Sequence, residues 1–405
     1  MSKDMHNKKY DVCVIGGAGH VGFPLAIVFA HKGLNVLIYD INKESIDKIK
    51  RGELPFMEHG GEELLKQVLH NKKLSFSTDP ASIRDSAVSI ITVGTPVDHF
   101  MNPEHKAIEG CLESLLKHFH EKQLIILRST VYPGTTDWLD QYLKDHGKPM
   151  NVAFCPERIV QGHAIEELQS LPQIVSGTTP EAEQEARKFF SVITSKIVIL
   201  KPIEAEFAKL FSNAYRYIHF AIANQFFMMT DSAGINYHNV LRGIKENYDR
   251  ARDIPAPGFA AGPCLFKDTM QLAAFSKNQF SLGNAAMLVN EGLVHYIIDV
   301  LQKKYDLKKK TIGLLGMAFK ADSDDTRSSL SYKLKKLLSF QAKEVLTTDP
   351  CVVDDEALMA LEDVIAKSDI IILCAPHTTY RQLDIKNKVL VDVWNCFGKG
   401  FLFES

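Results

Sequence analysis

Short apolar runs alternate with helical patterns near the amino terminus of this chain. Residues 10–15 form one continuous apolar run, a helical pattern covers residues 23–31, and a second apolar run covers residues 35–39. Continuous apolar runs separated by helices are typical of parallel strands in a sheet that is covered on both faces. The pattern therefore predicts a β-α-β unit over residues 10–40. Further strands of the same kind are predicted at residues 87–93, 124–128 and 152–154.

The carboxy-terminal quarter of the chain repeats this theme. Its apolar runs cover residues 310–315, 344–348, 369–373 and 388–393. The first run ends in Gly316 and the second ends at Asp349, just as the opening pair ends in a glycine turn and at Asp40. We predict a second, smaller doubly wound sheet in this region.

One long helix is predicted between these two regions, because residues 204–233 contain no helix breaker. Its predicted apolar stripe consists of Phe207, Leu210, Phe211, Ala214, Ile218 and Ala221. Beyond His219 the pattern is apolar around nearly the whole circumference. We therefore expect this helix to be buried on every side, at a boundary between domains or subunits.

These patterns predict an α/β protein with two doubly wound, Rossmann-like domains joined by a helical middle domain with a long central helix. A lysine-rich segment at residues 303–310 marks the predicted boundary between the middle domain and the carboxy-terminal domain. The predicted domains are residues 1–200, 201–305 and 306–405.

Composition excludes several classes of protein. The net charge of the 405 residues is -2 and no long Lys/Arg run occurs, so neither a nucleic-acid partner nor a membrane surface is indicated. The first nine residues are polar, unlike a signal peptide, and no apolar stretch reaches membrane-spanning length. Seven cysteines without CxxC pairs favour a reducing compartment, namely the cytosol, and no metal site is predicted.

A dinucleotide-binding fingerprint follows the first predicted strand. It reads Gly17-Ala18-Gly19-His20-Val21-Gly22, and Asp40 ends the second strand about 20 residues on. The glycines allow a tight turn, close approach of a pyrophosphate, and close packing of helix on strand. Asp40 can accept a hydrogen bond from a ribose 2′-OH and would repel a 2′-phosphate, so NAD is favoured over NADP. The alternative is that Asp40 is an ordinary turn residue at a strand end.

Cys264 has a setting unlike that of the other cysteines. It follows a loop of Gly, Ala and Pro that cannot cover a thiol, and Lys267 stands three residues later. A nearby ammonium favours the thiolate, which is the nucleophilic form. An open thiol together with a hydride acceptor indicates an enzyme that oxidises an alcohol past the aldehyde through a covalent intermediate.

Three further polar residues have two interpretations each. Lys209 and Asn213 are four residues apart, so they lie on one face of the long helix, opposite the apolar stripe. That face is either part of a site or merely solvated. Glu157 directly follows a strand and is either a site residue or one half of an ion pair.

Taken together, these motifs resemble those of the nucleotide-sugar 6-dehydrogenase family, which includes UDP-glucose and UDP-N-acetylhexosamine 6-dehydrogenases. The resemblance covers residues 11–397. Besides the glycine fingerprint, Lys209 and Asn213, it rests on Gly94-Thr95-Pro96, Ser129-Thr130, Pro156-Glu157-Arg158, Gly258-Phe259, Cys264-Leu265-Phe266-Lys267-Asp268, Ala318-Phe319-Lys320 and Asp325-Thr326-Arg327.

The resemblance implies two successive hydride transfers to NAD+ from C6 of a UDP-sugar, which turn the hydroxymethyl group into a carboxylate. Cys264 would capture the aldehyde as a thiohemiacetal, whose oxidation gives a thioester. Lys209 and Asn213 would stabilise oxyanions, and Asp268 would hold a water and help to move the proton. Glu157 and Thr130 would position or activate the water that hydrolyses the thioester.

The resemblance also implies the binding contacts. Cofactor contacts beyond the fingerprint and Asp40 would come from Thr95, Thr130, Lys267 and Arg327. Substrate contacts would come from Glu157, Arg158, Ile159, Lys209, Asn213, Phe259 and Lys320. A homodimer built on the long helix is implied, with Arg250 or Arg252 of the partner reaching the substrate.

The identity of the sugar stays open at this point. Trp394 stands where UDP-glucose enzymes usually have Arg, and the Pro156-Glu157-Arg158 segment resembles the N-acetylhexosamine branch. The Cys264–Asp268 segment resembles the UDP-glucose branch instead. The lean is towards an N-acetylhexosamine. The alternatives from other classes are a two-electron 3-hydroxyacid or 6-phosphogluconate-type dehydrogenase and a non-catalytic NAD-binding scaffold.

Overall fold

The computed structural model describes residues 8–94, 106–385, 388–398 and Leu402. The strands are β1 (Tyr10–Ile15), β2 (Val36–Tyr39), β3 (Leu74–Ser77), β4 (Ser86–Ile91), β5 (Leu124–Leu127), β6 (Asn151–Phe154), β7 (Gln173–Gly177), β8 (Ile197–Ile199), β9 (Thr311–Leu315), β10 (Glu344–Thr348), β11 (Ile370–Leu373) and β12 (Val389–Val391). The helices are α1 (Gly22–His31), α2 (Lys43–Lys50), α3 (Gly61–His70), α4 (Lys106–Leu115), α5 (Thr135–Asp145), α6 (Ala164–Ser170), α7 (Pro180–Phe190), α8 (Pro202–Ser232), α9 (Tyr237–Lys245), α10 (Leu265–Phe275), α11 (Ser281–Lys304), α12 (Leu330–Leu338) and α13 (Leu361–Lys367).

The chain divides into two compact units between Phe211 and Ser212. The first unit is built on an eight-stranded sheet of order β3-β2-β1-β4-β5-β6-β7-β8. All neighbours in it are parallel except β6 and β7, which are antiparallel. Every residue of β2, β4 and β5 is buried, as continuous apolar runs predict.

Helix α1 explains how the first sheet is covered. Nine of its ten residues, Gly22 to Ala30, are buried, so it is not an amphipathic surface helix. It packs in one apolar cluster with β1, β2 and β4, whose contributors include Val14, Ile38 and Ile90. This packing fixes the glycine loop that joins β1 to α1.

The second unit contains the four-stranded parallel sheet β10-β9-β11-β12 together with α9–α13 and most of α8. The predicted α/β class with a second, smaller doubly wound sheet is thus confirmed. All the strands predicted from apolar runs are present, with ends within two residues of the prediction. The three domain boundaries, at residues 1–200, 201–305 and 306–405, remain a prediction.

Helix α8 corrects two expectations. It is not buried on every side, because five large apolar side chains are exposed along it: Phe211, Tyr215, Ile222, Phe226 and Met229. Phe211 was placed in the buried stripe, yet it is 56% exposed, since neighbouring residues differ by about 100° around a helix and Leu210 takes the inward position. Leu210, Ala214 and Ala221 of the predicted stripe are buried, as is Tyr217, which the prediction did not include.

The core assignment can be tested with two isoleucines of the β2 region. We expect Ile38→Ala to lower the free energy of unfolding of the first unit by about 2–5 kcal/mol, because it leaves a cavity in the core. Ile41→Ala is the matched control, since Ile41 is 86% exposed and Ile38 is fully buried. Chemical denaturation of the full chain without cofactor measures both, and equal effects would contradict the described packing.

Candidate active site

The glycine loop between β1 and α1 is shaped for a dinucleotide. A Cβ on Gly17 would lie 2.7 Å from the Val14 carbonyl oxygen, and a Cβ on Gly22 would lie 2.5 Å from that of Gly16. Gly19 is exposed and meets nothing closer than 3.4 Å. The first and third glycines therefore serve packing, whereas the second leaves the backbone open to a pyrophosphate at the start of α1.

Asp40 holds this loop from the end of β2. Its Oδ2 accepts from the Ala18 N–H at 3.0 Å, and its Oδ1 accepts from the Asn42 N–H at 2.9 Å. Each carboxylate oxygen keeps acceptor capacity, so the geometry is compatible with a ribose hydroxyl as a further donor. The contact with ribose remains a prediction.

His20 connects the glycine loop to a second loop of the first unit. A ring nitrogen lies 2.9 Å from Gln161 Nε2, and the ring packs on Phe56 with centroids 4.0 Å apart. Val21 precedes the first residue of α1 as its cap. Thr95, the other predicted cofactor residue after β4, lies outside the described residues.

Glu157 stands at the start of the loop that follows β6, and it is an ion-pair partner. Its Oε2 accepts from Arg128 Nε at 3.0 Å and from Nη2 at 2.5 Å. Its Oε1 accepts from the N–H groups of Arg158 and Ile159 at 2.8 and 3.2 Å. Those two amides, expected to hold the sugar, are thus committed to Glu157, and their role in binding remains a prediction.

Two buried carboxylates that the sequence did not single out anchor neighbouring loops. Glu58 accepts from the N–H groups of Gly162 and Ile165, both at 3.2 Å, and burial raises its pKa. Glu206 on α8 accepts from the N–H groups of Gly134 and Thr136, and burial likewise raises its pKa. No local pattern in the sequence indicates these contacts, because the donors lie about 70 or more residues away along the chain.

Lys209 follows Glu206 by one helical turn. Lys209 and Asn213 are buried, with 9% and 6% exposed, so the interpretation of a solvated polar face is wrong. A buried ammonium on a helix is costly unless charges or hydrogen bonds compensate for it, which favours a site residue over a solubilising one. Thr130 is half-buried on the loop after β5.

Cys264 occupies the cap position directly before α10 and is exposed. The loop before it is tight: Gly262 has φ +104°, and a Cβ there would lie 2.7 Å from the Phe319 ring. Three cysteines are fully inside instead (Cys13, Cys155 and Cys374), and burial raises the pKa of each of them. The predicted accessibility of Cys264 is therefore confirmed.

A buried carboxylate lies one turn after this thiol. The Asp268 N–H donates to the Cys264 carbonyl at 2.9 Å, and the Asp268 side chain is fully buried. Asn213 Nδ2 donates to its Oδ2 at 2.5 Å, while Lys267 Nζ lies 3.4 Å from its Oδ1. Oδ1 has no hydrogen-bond partner among the described residues, so it can still accept a proton or a water.

Arg327, predicted as a cofactor residue, lies beside the cysteine loop. It forms a forked ion pair with Asp325, at 2.6 Å for the Nη2–Oδ2 contact. The bond to Asp325 raises the pKa of Arg327, and the negative form of Cys264 adds to this rise. The guanidinium is thus within electrostatic range of the thiol.

The Phe259 loop is held by buried amides that the sequence did not reveal. Asn224 on α8 exchanges hydrogen bonds with the Gly258 N–H and carbonyl at 2.8 and 3.0 Å, and its Nδ2 also donates to Asn290 at 2.9 Å. Trp394 packs on the other side, because a Cβ on Gly258 would lie 2.2 Å from its ring. Trp394, which stands where UDP-glucose enzymes usually have Arg, therefore supports the Phe259 loop.

The remaining predicted residues lie at the surface of the second unit. Lys320 is half-buried, with its Nζ 6.0 Å from the Phe319 ring centroid. Arg250 and Arg252 are exposed, and Arg252 lies 3.9 Å from Asp249. Within this unit their roles in substrate binding remain predictions.

One group of side chains in the described chain has the composition of a metal site. Asp349, Cys351 and His377 place their ligand atoms within 4.8 Å of one another. However, His377 accepts from the Asp322 N–H through Nδ1 at 3.0 Å, and its Nε2 lies 3.1 Å from Asp349 Oδ2. Both ring nitrogens are therefore engaged, which favours a structural cluster, and the absence of a metal remains a prediction.

Comparison with known proteins places the chain. Three models of the UDP-glucose/GDP-mannose dehydrogenase family match it: the NAD binding domain at residues 10–194, the central domain at 203–292 and the UDP binding domain at 313–399. The chain belongs to the UDP-glucose/GDP-mannose dehydrogenase family. It is an NAD-dependent oxidoreductase, as the glycine loop and Asp40 predict.

Relatives of this family span the whole length of the chain. The UDP-N-acetyl-D-mannosamine dehydrogenase of Pyrococcus horikoshii is 29% identical, with 96% of this chain and 97% of that protein covered. Its structure superposes with a TM-score of 0.86 over 92% of this chain and 91% of that one. The NDP-N-acetyl-D-galactosaminuronic acid dehydrogenase of Ralstonia nicotianae is 27% identical, with 93% and 94% covered. Among the described residues, no helix has the length and apolarity needed to cross a membrane.

The thiol assignment predicts selective alkylation. Under native conditions with limiting iodoacetamide, we expect Cys264 to be modified first, because it is exposed. Burial raises the pKa of Cys111 and Cys351 to about 11, which keeps them as unreactive thiols. Peptide mass spectrometry measures the order, with Cys111→Ser as the matched control for Cys264→Ser. Earlier modification of any other cysteine would contradict the described exposure.

Proposed function

We propose that this protein oxidises the C6 hydroxymethyl group of a UDP-N-acetylhexosamine to a carboxylate, with two NAD+ consumed per sugar. The observation that carries the proposal is the exposed Cys264 at the start of α10, with the buried Asp268 one turn later. A two-electron alcohol dehydrogenase has no need of such a thiol. When bound, NAD+ supplies the hydride acceptor for both oxidations.

In the first half of the reaction, C6 loses a hydride and its hydroxyl loses a proton, which gives an aldehyde. The Asp268 carboxylate is the group suited to receive that proton through a water, because its Oδ1 keeps acceptor capacity. The Cys264 thiolate then adds to C6 while the former carbonyl oxygen takes up a proton, which gives a thiohemiacetal. This covalent step prevents escape of the aldehyde and keeps C6 in place for the second oxidation.

In the second half, C6 of the thiohemiacetal loses another hydride and its hydroxyl loses a proton, which gives a thioester on Cys264. Water adds to its carbonyl carbon, the C–S bond breaks, and the carboxylate and two protons leave while the thiolate is restored. We assign oxyanion stabilisation to the Lys209 ammonium and the Asn213 amide. We assign the binding of the water to Thr130, whereas Glu157, whose carboxylate already accepts four hydrogen bonds, acts through its fixed charge and its loop backbone. The buried state of Lys209 and Asn213 supports their assignment.

Two sugars compete for the substrate role. The relatives that act on N-acetylated sugars support a UDP-N-acetylhexosamine. The second candidate is UDP-glucose, favoured by the Cys264–Asp268 segment. Lys320 and Phe259 are proposed to contact the substrate, and Lys267 and Arg327 to contact the cofactor.

The decisive experiment measures NADH formed per sugar consumed with UDP-N-acetylmannosamine, UDP-N-acetylglucosamine, UDP-N-acetylgalactosamine and UDP-glucose. We expect two NADH per sugar and a carboxylate product with one N-acetylhexosamine. Cys264→Ser is expected to abolish carboxylate formation, whereas Cys111→Ser leaves the stoichiometry intact.

One NADH per sugar in the unaltered protein would remove Cys264 from the mechanism and favour the two-electron alternative. Ligand binding without any NADH formation would favour the NAD-binding scaffold. Turnover of UDP-glucose alone would support the four-electron oxidation and would show that UDP-glucose, not a UDP-N-acetylhexosamine, is the substrate.

We further propose a homodimer built on α8, whose exposed apolar stripe (Phe211, Tyr215, Ile222, Phe226 and Met229) would pack against a second copy. Five large apolar side chains along one helix favour a partner, because monomers rarely leave so much apolar surface contiguous. In such a dimer Arg250 or Arg252, both exposed, would be available to the substrate of the partner. A cytosolic location is proposed as well, since all seven cysteines are free.

The dimer proposal predicts the effect of a charge in the stripe. We expect Phe226→Glu to convert the dimer into a monomer, measured by light scattering after size exclusion, because it would bury an unpaired carboxylate. Phe340→Glu is the matched control, since Phe340 is 80% exposed and lies outside α8. A dimer that survives Phe226→Glu, or a monomeric unaltered protein, would refute the proposed interface.

A further inference from the structure

Arg128 is a fully buried charged side chain to which the proposed mechanism gives no role. It directly follows β5, its side chain is fully buried, and its guanidinium lies 4.9 Å from the Phe190 ring centroid. A guanidinium cannot give up its proton in a protein, so its charge must be compensated in place. Its contacts therefore indicate what it holds.

The guanidinium ties together the loops that follow two neighbouring strands. Nη1 donates to the Cys155 carbonyl at 2.9 Å, to the Pro156 carbonyl at 3.4 Å and to Gln173 Oε1 at 3.0 Å. Nε and Nη2 both donate to Glu157 Oε2. The backbone adds a further link, because the Glu157 N–H donates to the Arg128 carbonyl at 3.2 Å.

Glu157 is held from both sides as a consequence. Arg128 occupies Oε2, and the two amides of Arg158 and Ile159 occupy Oε1. A carboxylate offers about four acceptor positions, and here four donors use them. The side chain therefore has one fixed orientation, and it contributes a fixed negative charge and a fixed loop backbone.

Thr130 lies two residues beyond Arg128 on the loop after β5. The far end of that loop is anchored separately, because Glu206 accepts from Gly134 and Thr136. Arg128 is thus the fixed point from which both Thr130 and Glu157 are placed. In the proposed function, these two residues position the water that hydrolyses the thioester.

We propose that Arg128 is a positioning residue for hydrolysis of the Cys264 thioester. It acts through Glu157 and through the loop that carries Thr130, and it contacts neither sugar nor cofactor. This inference rests on the proposed function, since it concerns the step in which water adds to the thioester carbonyl and the C–S bond breaks. The two oxidations that precede the step do not need the pair.

Arg128→Lys is the informative variant, because lysine keeps the charge and loses the planar fork that holds two loops at once. We expect the initial burst of NADH to stay within about twofold of the unaltered protein while steady-state turnover falls by about 10–100-fold, as for a misplaced reacting group. The thioester should then accumulate on Cys264, visible as an added sugar-nucleotide mass of the intact protein.

Glu157→Gln and the double variant test whether the two residues act as a pair. We expect Glu157→Gln to reproduce the slow hydrolysis, and Arg128→Lys/Glu157→Gln to be no slower than the worse single variant, because both act through the same contact. Arg84→Lys is the control, since Arg84 is exposed and its guanidinium donates to the backbone carbonyl of Lys117.

Several outcomes would overturn the inference. An equal loss of burst and steady state together with a lowered melting temperature, and no adduct, would show a purely structural role for Arg128. Unchanged turnover, or single effects that multiply in the double variant, would also overturn it. Failure of the proposed function is distinguishable, because the unaltered protein would then form neither two NADH per sugar nor any thioester.

Discussion

Parallel hydrogen-bonded strands, covered on both faces, are the constraint on which the rest of this structure depends. Such strands are mostly apolar along their length, and charged residues follow them where each strand ends. The glycine loop follows β1, Asp40 follows β2, Arg128 follows β5 and Glu157 follows β6. Because these strands are parallel, their carboxyl ends lie at the same end of the sheet, and residues distant in sequence are brought together there.

Buried carboxylates give this edge its fixed shape. Glu58, Glu157 and Glu206 are each nearly inaccessible, and each accepts backbone N–H groups from a loop or from the first turn of the helix that follows it. A buried charge without partners costs several kcal/mol, and several hydrogen bonds offset that cost. Loops held in this way can present reactive groups without a further loss of conformational entropy during turnover.

Helix α8 contributes residues to both compact units, and its polar side chains have different partners along its length. Glu206 anchors a loop of the first unit, Lys209 and Asn213 are buried, and Asn224 holds the Gly258 backbone of the second unit. The opposite face of the same helix is exposed and apolar. One continuous helix of 31 residues therefore serves polar positioning and apolar association at once.

The sequence by itself determined nine of the twelve described strands, the long helix, the second sheet, the cofactor and the accessible thiol, because these depend on local pattern: continuous apolar runs, spaced glycines and small residues beside Cys264. It missed β3, β7 and β8. It left Asp40, Glu157 and Lys209 between two interpretations each, since a single chain does not show which distant groups will surround a polar side chain. Only the tertiary structure decided that Lys209 is buried, that Phe211 is exposed, and that Arg128 pairs with Glu157 across 29 residues. The physical reason is that burial and ion pairing are set by packing between elements, which local periodicity does not encode.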